Sequence, residues 1–160
     1  MDDKFNGAAL GALLAGRKHT LAVAESSAGG LINATLVAVP RASVWYLGGC
    51  VIYTAASREG LLGISPADMQ GMRSASEPFA QLMARRVREK LGATWGLAET
   101  GASGPTGNRY GDAAGHACLA VSGPVEAVIT LETASADREA NMRRFTRRAL
   151  ELLEECLRRE

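Results

Sequence analysis

The chain is poor in the side chains from which metal sites and disulfide frameworks are built. It has three cysteines and two histidines, and no CxxC pair occurs. No recognisable zinc spacing is present, and the odd number of widely separated cysteines indicates a reducing compartment. The chain also lacks an apolar run of about 18 residues and a signal peptide pattern, which predicts a soluble cytoplasmic protein.

A strong excess of charge is also missing. The formal net charge is +1 over 160 residues, with 47% apolar and 22% charged residues. This ordinary globular balance fits one domain over residues 1–160 with one core. It offers no broad electrostatic surface for a nucleic-acid backbone, so we expect binding to neither nucleic acid nor membrane.

Helical and strand periodicities alternate along the chain. The patterns predict helices over 3–16, 31–39, 55–62, 77–92 and 136–158, and strands over 20–25, 48–54, 94–100, 116–123 and 125–133. Gly123 and Pro124 form a tight turn, so the last two strands are expected to be antiparallel. The alternation predicts an α/β fold with helices on both faces of a mixed, mainly parallel sheet.

Two loops follow predicted strands where such sheets bind ligands, at the carboxyl ends of the strands. The first, Glu25–Gly30, lies within the stretch AESSAGG. A serine there can expose its hydroxyl as a nucleophile, with turn N–H groups of residues 27–30 available to an oxyanion. The alternative is structural, with Ser26 or Ser27 capping a helix that starts near Ala28. The GxSxG elbow of hydrolases is absent.

The second loop, Gly101–Gly115, is rich in glycine and hydroxyl groups. Its glycines allow close approach of a ligand to the backbone, and Arg109 offers a phosphate contact. No GK[ST] sequence follows, so it is not a P-loop. The alternative is a long turn built for shape, although loops of this length are more often functional.

Three segments, in order, carry a family resemblance: TLAVAESSAGGLINATL, WYLGGCVIYTAASREGLLGI and AETGASGPTG. They resemble the C-terminal domain of the CinA family, whose motifs are ESCTGG, GGxxxYSNxxKxxLLGV and TGxAGPxGG. The resemblance covers residues 5–155 and implies a three-layer α/β/α domain. It also implies hydrolysis of the carboxamide of nicotinamide mononucleotide to nicotinic acid mononucleotide and ammonia. The family's chemistry uses a serine nucleophile, a lysine base and a tyrosine, with no metal or cofactor.

Carried over by position, the nucleophile is Ser26, the tyrosine is Tyr53, and Arg58 stands where the family has lysine. Ser27 replaces the cysteine of ESCTGG. The residues expected to bind substrate are Glu25, Ser27, Gly29, Gly30, Thr100, Gly101, Ser103, Gly104, Thr106, Gly107 and Arg109.

The change at position 58 is not conservative, because arginine does not lose its proton in proteins. The serine–lysine scheme therefore does not apply as written. The remaining candidates for the base are Tyr53 assisted by Arg58, the carboxylates Glu25 and Asp112, and His116. Arg58 itself suits a substrate phosphate.

Three functions stay open at this point: an amidase, a nucleotide-binding module that has lost its base, and an amidase for another substrate. The partner expected in each case is a small molecule. The long final helix and the apolar stretch 38–49 also offer a surface for a homo-oligomer, with Trp45 as an anchor if it is exposed and as a core residue otherwise.

Overall fold

The computed structural model describes Phe5 and residues 7–160, and the start of the predicted helix 3–16 lies outside them. The elements are α1 (Ala8–Arg17), β1 (Leu21–Glu25), α2 (Leu31–Val37), a 3-10 turn (Ala42–Val44), β2 (Tyr46–Val51), α3 (Ala55–Leu62), α4 (Glu77–Leu91), β3 (Trp95–Ala102), β4 (His116–Ser122), β5 (Ala127–Glu132) and α5 (Arg138–Arg159). The predicted α/β class is confirmed.

The strands form one mixed sheet in the order β2-β1-β3-β4-β5. β1 pairs in parallel with β2 and β3, while β4 is antiparallel to both β3 and β5. Strands β1, β2, β3 and β5 therefore run in the same direction, and β4 runs in the opposite one. The predicted antiparallel pairing of the last two strands is confirmed. Glu25 lies opposite Val51, and Ala24 lies opposite Ala98, so the three parallel strands end at the same edge.

Helices cover both faces of the sheet, which gives three layers. One apolar cluster holds residues of α1, α2 and α5 and includes the fully buried Trp95 and Phe145. The other holds residues of α3 and α4, with Met83 fully buried. Fully burying a side chain of this size stabilises the fold by about 1.5–3 kcal/mol. Trp45 is 3% exposed and belongs to the first cluster, so it is a core residue.

Strand β2 lies earlier than the predicted 48–54. The chain leaves the sheet after Val51 because Thr54 is the N-cap residue of α3. Thr54 Oγ1 accepts a hydrogen bond from Ser57 N (3.3 Å), and Ser57 Oγ accepts one from Thr54 N (3.0 Å), a capping box at the start of α3.

The longer helices follow their predicted signals. Ser76 Oγ accepts a hydrogen bond from Phe79 N (3.4 Å) at the start of α4, and Gly92 ends that helix in the left-handed conformation (φ 66°). Within the part of the chain that the structure describes, every helix is too short or too polar to cross a membrane.

Candidate functional site

A cavity of about 330 Å³ lies where the parallel strands end. Its wall includes the turn after β1, the β2–α3 connection, the end of β3 and the glycine loop that follows. Eight of the predicted site residues line it: Ser26, Ser27, Tyr53, Arg58, Thr100, Gly101, Ser103 and Arg109. The two predicted loops therefore meet at one cavity.

The other predicted residues lie outside the lining: Glu25, Gly29, Gly30, Gly104, Thr106 and Gly107. Several of these glycines shape the backbone. A Cβ at Gly107 would lie 2.0 Å from the Asp112 carbonyl oxygen, and a Cβ at Gly29 would lie 2.9 Å from Met142 Cε. Gly29 also has a φ of +69°, which favours glycine.

Glu25 is fully buried and holds the start of α2. Its Oε1 accepts hydrogen bonds from Gly30 N (2.7 Å) and Ile32 N (3.2 Å). Its Oε2 accepts from the backbone N (2.8 Å) and side-chain Nδ2 (2.7 Å) of Asn33. A carboxylate is favourable here because it meets unpaired N–H groups at the positive end of the helix dipole.

A second buried carboxylate, Glu99 of β3, holds the serine turn itself. Its Oε1 accepts hydrogen bonds from Ser26 N (3.0 Å) and Ala28 N (2.8 Å). Its Oε2 accepts a short hydrogen bond from Ser27 Oγ. Glu99 is 0% exposed, so the turn sits on a carboxylate that solvent does not reach.

These contacts correct two expectations about the turn. Neither Ser26 nor Ser27 caps α2, because the helix begins later, at Leu31, and its N-cap is Gly30 with no side-chain cap. The turn N–H groups are also mostly occupied, since those of Ala28 and Gly30 bind the two glutamates.

Gly29 N donates to Ser26 O (3.1 Å) and is occupied as well. Of the four N–H groups predicted for an oxyanion, that of Ser27 alone has no acceptor among the described residues.

Burial raises the pKa of Glu99 to about 7. The hydrogen bonds from Ser27, Ala28 and Ser26 favour its ionised form and oppose that rise, whereas the neighbouring Glu25 carboxylate adds to it. Glu99 is therefore a carboxyl group that changes its protonation near neutral pH.

Tyr53 is contacted by an arginine other than the expected Arg58. Arg138, at the start of α5, donates from Nη2 to Tyr53 Oη (2.9 Å) and from Nη1 to the Gly104 carbonyl oxygen. Arg138 lines the cavity and ties the tyrosine to the glycine loop. Three arginines thus line the cavity: Arg58, Arg109 and Arg138.

Arg58 has few partners. Its Nη1 donates to Ser74 Oγ (3.4 Å), and its guanidinium carbon lies 5.9 Å from the centre of the Phe79 ring. Its Nε is buried without a hydrogen-bond partner among the described residues, and the same is true of Ser103 Oγ. Arg58 and Ser103 both line the cavity, so these two unpaired polar atoms are available to a ligand there, whereas the likewise unpaired Ser122 Oγ belongs to a residue outside the lining.

Tyr110, in the glycine loop, lines the cavity. Arg109 Nη2 donates to Tyr110 Oη (2.9 Å), and the guanidinium carbons of Arg73 and Arg109 lie 5.1 and 5.0 Å from the Tyr110 ring centre. The hydrogen bond from Arg109 lowers the pKa of Tyr110 below its ordinary value, and contacts with Ser74 add to this.

Two of the candidate bases, Asp112 and His116, are hydrogen-bonded to residues outside the serine turn. Asp112 receives two hydrogen bonds from Arg73, at 2.7 and 3.2 Å. Burial opposes ionisation of Asp112, but its bonds from Arg73 and Asn108 bring its pKa below the ordinary value.

His116 donates from Nδ1 to Glu132 (2.5 Å) and from Nε2 to the Ala75 carbonyl (2.8 Å). Burial disfavours its charged form, yet these partners raise its pKa. Both of its ring nitrogens are therefore occupied as donors, and neither His116 nor Asp112 lines the cavity.

Sequence reasoning did not select Glu99, which holds the serine turn, or Arg138 and Tyr110, which line the cavity. Glu99 lies in the predicted strand TWGLAET, and a charged residue in this mostly apolar strand was the sequence feature that could have pointed to it. Arg138 stands near the start of a long amphipathic helix and had no local signal. No group of three or more His, Cys, Asp or Glu within residues 7–160 is arranged to hold a metal ion.

Comparison with known proteins finds similarity over nearly the whole chain. A family model described as the CinA C-terminal domain matches residues 4–157. A CinA-like protein of Prochlorococcus marinus (strain MIT 9313) is 40% identical over 123 residues, which is 77% of this chain and 29% of that protein. A CinA-like protein of Gloeobacter violaceus (strain ATCC 29082 / PCC 7421) is 39% identical over 154 residues, 95% of this chain and 36% of that protein. The chain therefore spans about a third of the length of these curated relatives.

Solved structures match the fold. A CinA superfamily protein from Escherichia coli superposes with a TM-score of 0.88 at 26% identity, covering 96% of this chain and 89% of that chain. A CinA superfamily protein from Klebsiella pneumoniae 700603 gives a TM-score of 0.92 over 100% of both chains at 24% identity, which bears on the fold alone.

Proposed function

This chain belongs to the family of the CinA C-terminal domain, and from that premise we propose that it is an amidohydrolase acting on a nicotinamide nucleotide. The proposed reaction converts the carboxamide of nicotinamide mononucleotide to a carboxylate and releases ammonia. Ser26 is the proposed nucleophile. The nucleotide is the proposed small-molecule partner, and the cytoplasm is the proposed location.

The observation that carries the proposal is the position of Ser26. It follows the end of β1, its backbone N–H is held by Glu99, and its side chain borders the cavity. Ser26 Oγ makes no hydrogen bond to the described residues, so its hydroxyl is free to meet a substrate. The neighbouring Ser27 N–H supports one oxyanion contact at the same turn.

The charges of the cavity favour a phosphorylated substrate. Arg58, Arg109 and Arg138 line it, and arginine binds phosphate through paired N–H donors. The volume of about 330 Å³ is at the lower end of the range for small-molecule sites. In this proposal the arginines hold the phosphate and Tyr53 helps to orient the substrate.

The experiment is to incubate the purified protein with nicotinamide mononucleotide and measure ammonia release. Wild-type protein should release ammonia, and Ser26→Ala should reduce release to background while nucleotide binding persists. Ser43→Ala is the matched control, because Ser43 is exposed and does not line the cavity. Unchanged turnover in Ser26→Ala would refute the role of Ser26.

A second candidate, a nucleotide-binding module without turnover, is favoured by one observation. Arg58 occupies the position of the family lysine, and neither described lysine, Lys18 or Lys90, lines the cavity. Calorimetric binding of nicotinamide mononucleotide without ammonia release would support this function. Ammonia release that emerges in Arg58→Lys would then identify position 58 as the reason.

A further inference from the structure

The proposed hydrolysis needs a group that takes the proton of the attacking hydroxyl. Arginine at position 58 does not act as a base. Asp112 is paired with Arg73, and both ring nitrogens of His116 donate hydrogen bonds. Glu25 is occupied by the N–H groups at the start of α2. Tyr53 Oη accepts a hydrogen bond from Arg138 Nη2 and makes none to the serine turn among the described residues. The remaining carboxylate next to the serine turn is Glu99.

Glu99 reaches the cavity through one side chain. Ser27 Oγ donates to Glu99 Oε2, and Ser27 also lines the cavity beside Ser26. The other carboxylate oxygen, Oε1, accepts two backbone N–H groups. A proton that arrives at Glu99 therefore binds Oε2, because Oε1 is already occupied by two donors. The bond between Ser27 and Glu99 then reverses direction.

We propose that Glu99, acting through the hydroxyl of Ser27, is the proton acceptor for Ser26 in this site. This inference rests on the proposed function. Ser26 Oγ has no hydrogen-bond partner among the described residues, and in the proposed step it turns to donate to Ser27 Oγ. As Ser26 Oγ bonds to the carbonyl carbon, its proton passes to Ser27 Oγ and the proton of Ser27 passes to Glu99 Oε2. The carbonyl electron pair moves to oxygen, and Glu99 becomes a neutral acid. When the C–N bond breaks, the same proton returns through Ser27 to the departing nitrogen, which leaves as ammonia. Water then repeats the sequence on the acyl-serine and restores both serines.

The charged surroundings suit this exchange. Glu25, on the neighbouring strand β1, is the charged group whose field acts on Glu99, and it favours the protonated form. The pKa of about 7 makes Glu99 able to hold and release a proton near neutral pH, where a general base is most effective.

A test that does not depend on the physiological substrate is labelling with an alkyl fluorophosphonate. In this reaction the serine oxygen bonds to phosphorus, fluoride leaves, and the serine proton goes to the base. We expect wild-type labelling at Ser26, located by mass spectrometry, with a rate that rises with pH as a group with a pKa near 7 ionises.

The decisive variant is Glu99→Gln. Its amide oxygen can still accept from Ser26 N and Ala28 N, while its NH2 group donates to Ser27 Oγ, so the turn keeps its hydrogen bonds. We expect labelling to fall about 100-fold, the lower end of general-base contributions, and to lose the pH step. Ser27→Ala should cause a similar loss with Glu99 intact, and melting curves at pH 6 check that both variants are folded.

Glu126→Gln is the matched control, because Glu126 is exposed beyond β4, at the far end of the sheet, and should leave labelling unchanged. Equal rates and equal pH profiles for wild type and Glu99→Gln would overturn the proposal, as would labelling of Ser27 itself or no labelling at any pH. Absence of ammonia release with normal Ser26 labelling would refute the substrate and leave the proton acceptor supported.

Discussion

Replacing Glu99 by glutamine removes an ionisable group from the interior while keeping the shape of the side chain. The pKa of Glu99 rises from 4.5 to about 7 on folding, mainly through burial. The native state therefore binds a proton more tightly than the unfolded chain does. Its stabilising effect is fully present below pH 4.5 and is lost as the pH rises through 7.

The magnitude follows from the pKa difference. Each unit is worth about 1.4 kcal/mol, so the wild type should lose about 2–3 kcal/mol of unfolding free energy between pH 5 and pH 8 through this one group. Glu99→Gln has no such proton to lose. The difference in unfolding free energy, variant minus wild type, should therefore increase by that amount over the same range.

Urea unfolding at pH 5, 6, 7 and 8 measures this difference by linear extrapolation. Glu126→Gln should follow the wild-type curve, because Glu126 is exposed. Parallel pH curves for wild type and Glu99→Gln would mean that Glu99 ionises alike in the folded and unfolded chain, and the reasoning about its burial would be refuted.

Three further predictions concern the supports of the site. Gly49→Ala should lower the urea midpoint by an amount equivalent to about 1–3 kcal/mol, because its Cβ would lie 2.1 Å from the Val23 carbonyl oxygen. An unchanged midpoint would contradict this prediction. Gly16→Ala is the control, because a Cβ at Gly16 would meet no atom within 4 Å. Asp137→Ala should cost about 1 kcal/mol in thermal unfolding, because Asp137 Oδ1 accepts from Ala140 N (3.1 Å) and caps α5; no change in melting temperature would show that the cap contributes nothing. Arg138→Gln should weaken the binding of nicotinamide mononucleotide about tenfold, as measured by calorimetry. This is equivalent to about 1.4 kcal/mol for a charge-assisted contact. Equal affinity of the variant and the wild type would exclude a contact between Arg138 and the phosphate.

The arrangement of the fold could be predicted because each element carries a local signal. The capping residue Ser76 and the left-handed Gly92 bound α4, and Ser26 was placed at a strand end by the apolar run before it. Parallel strands end at one edge, so the two loops were expected to meet. These inferences need periodicity and turn chemistry, which are properties of neighbouring residues.

The contacts that organise the cavity could not be predicted in the same way. Glu99 and Ser27 are brought together by the pairing of β1 with β3, and Arg138 reaches Tyr53 from a separate helix. Such contacts depend on tertiary packing across 72 and 85 residues of chain. The serine turn was therefore predicted with four free N–H groups, although buried glutamates occupy two of them and the Ser26 carbonyl oxygen a third.

The two glutamates that hold the serine turn and the arginines that line the cavity place opposite charges on different sides of the site. Negative charge lies on the side of the sheet, from Glu25 and in part from Glu99, and positive charge lies at Arg58, Arg109 and Arg138. A ligand with a cation at one end and an anion at the other gains energy in one orientation and loses it in the other. A uniformly anionic ligand gains nothing from the sheet side, so under the proposed function this charge arrangement favours a substrate whose opposite charges are separated.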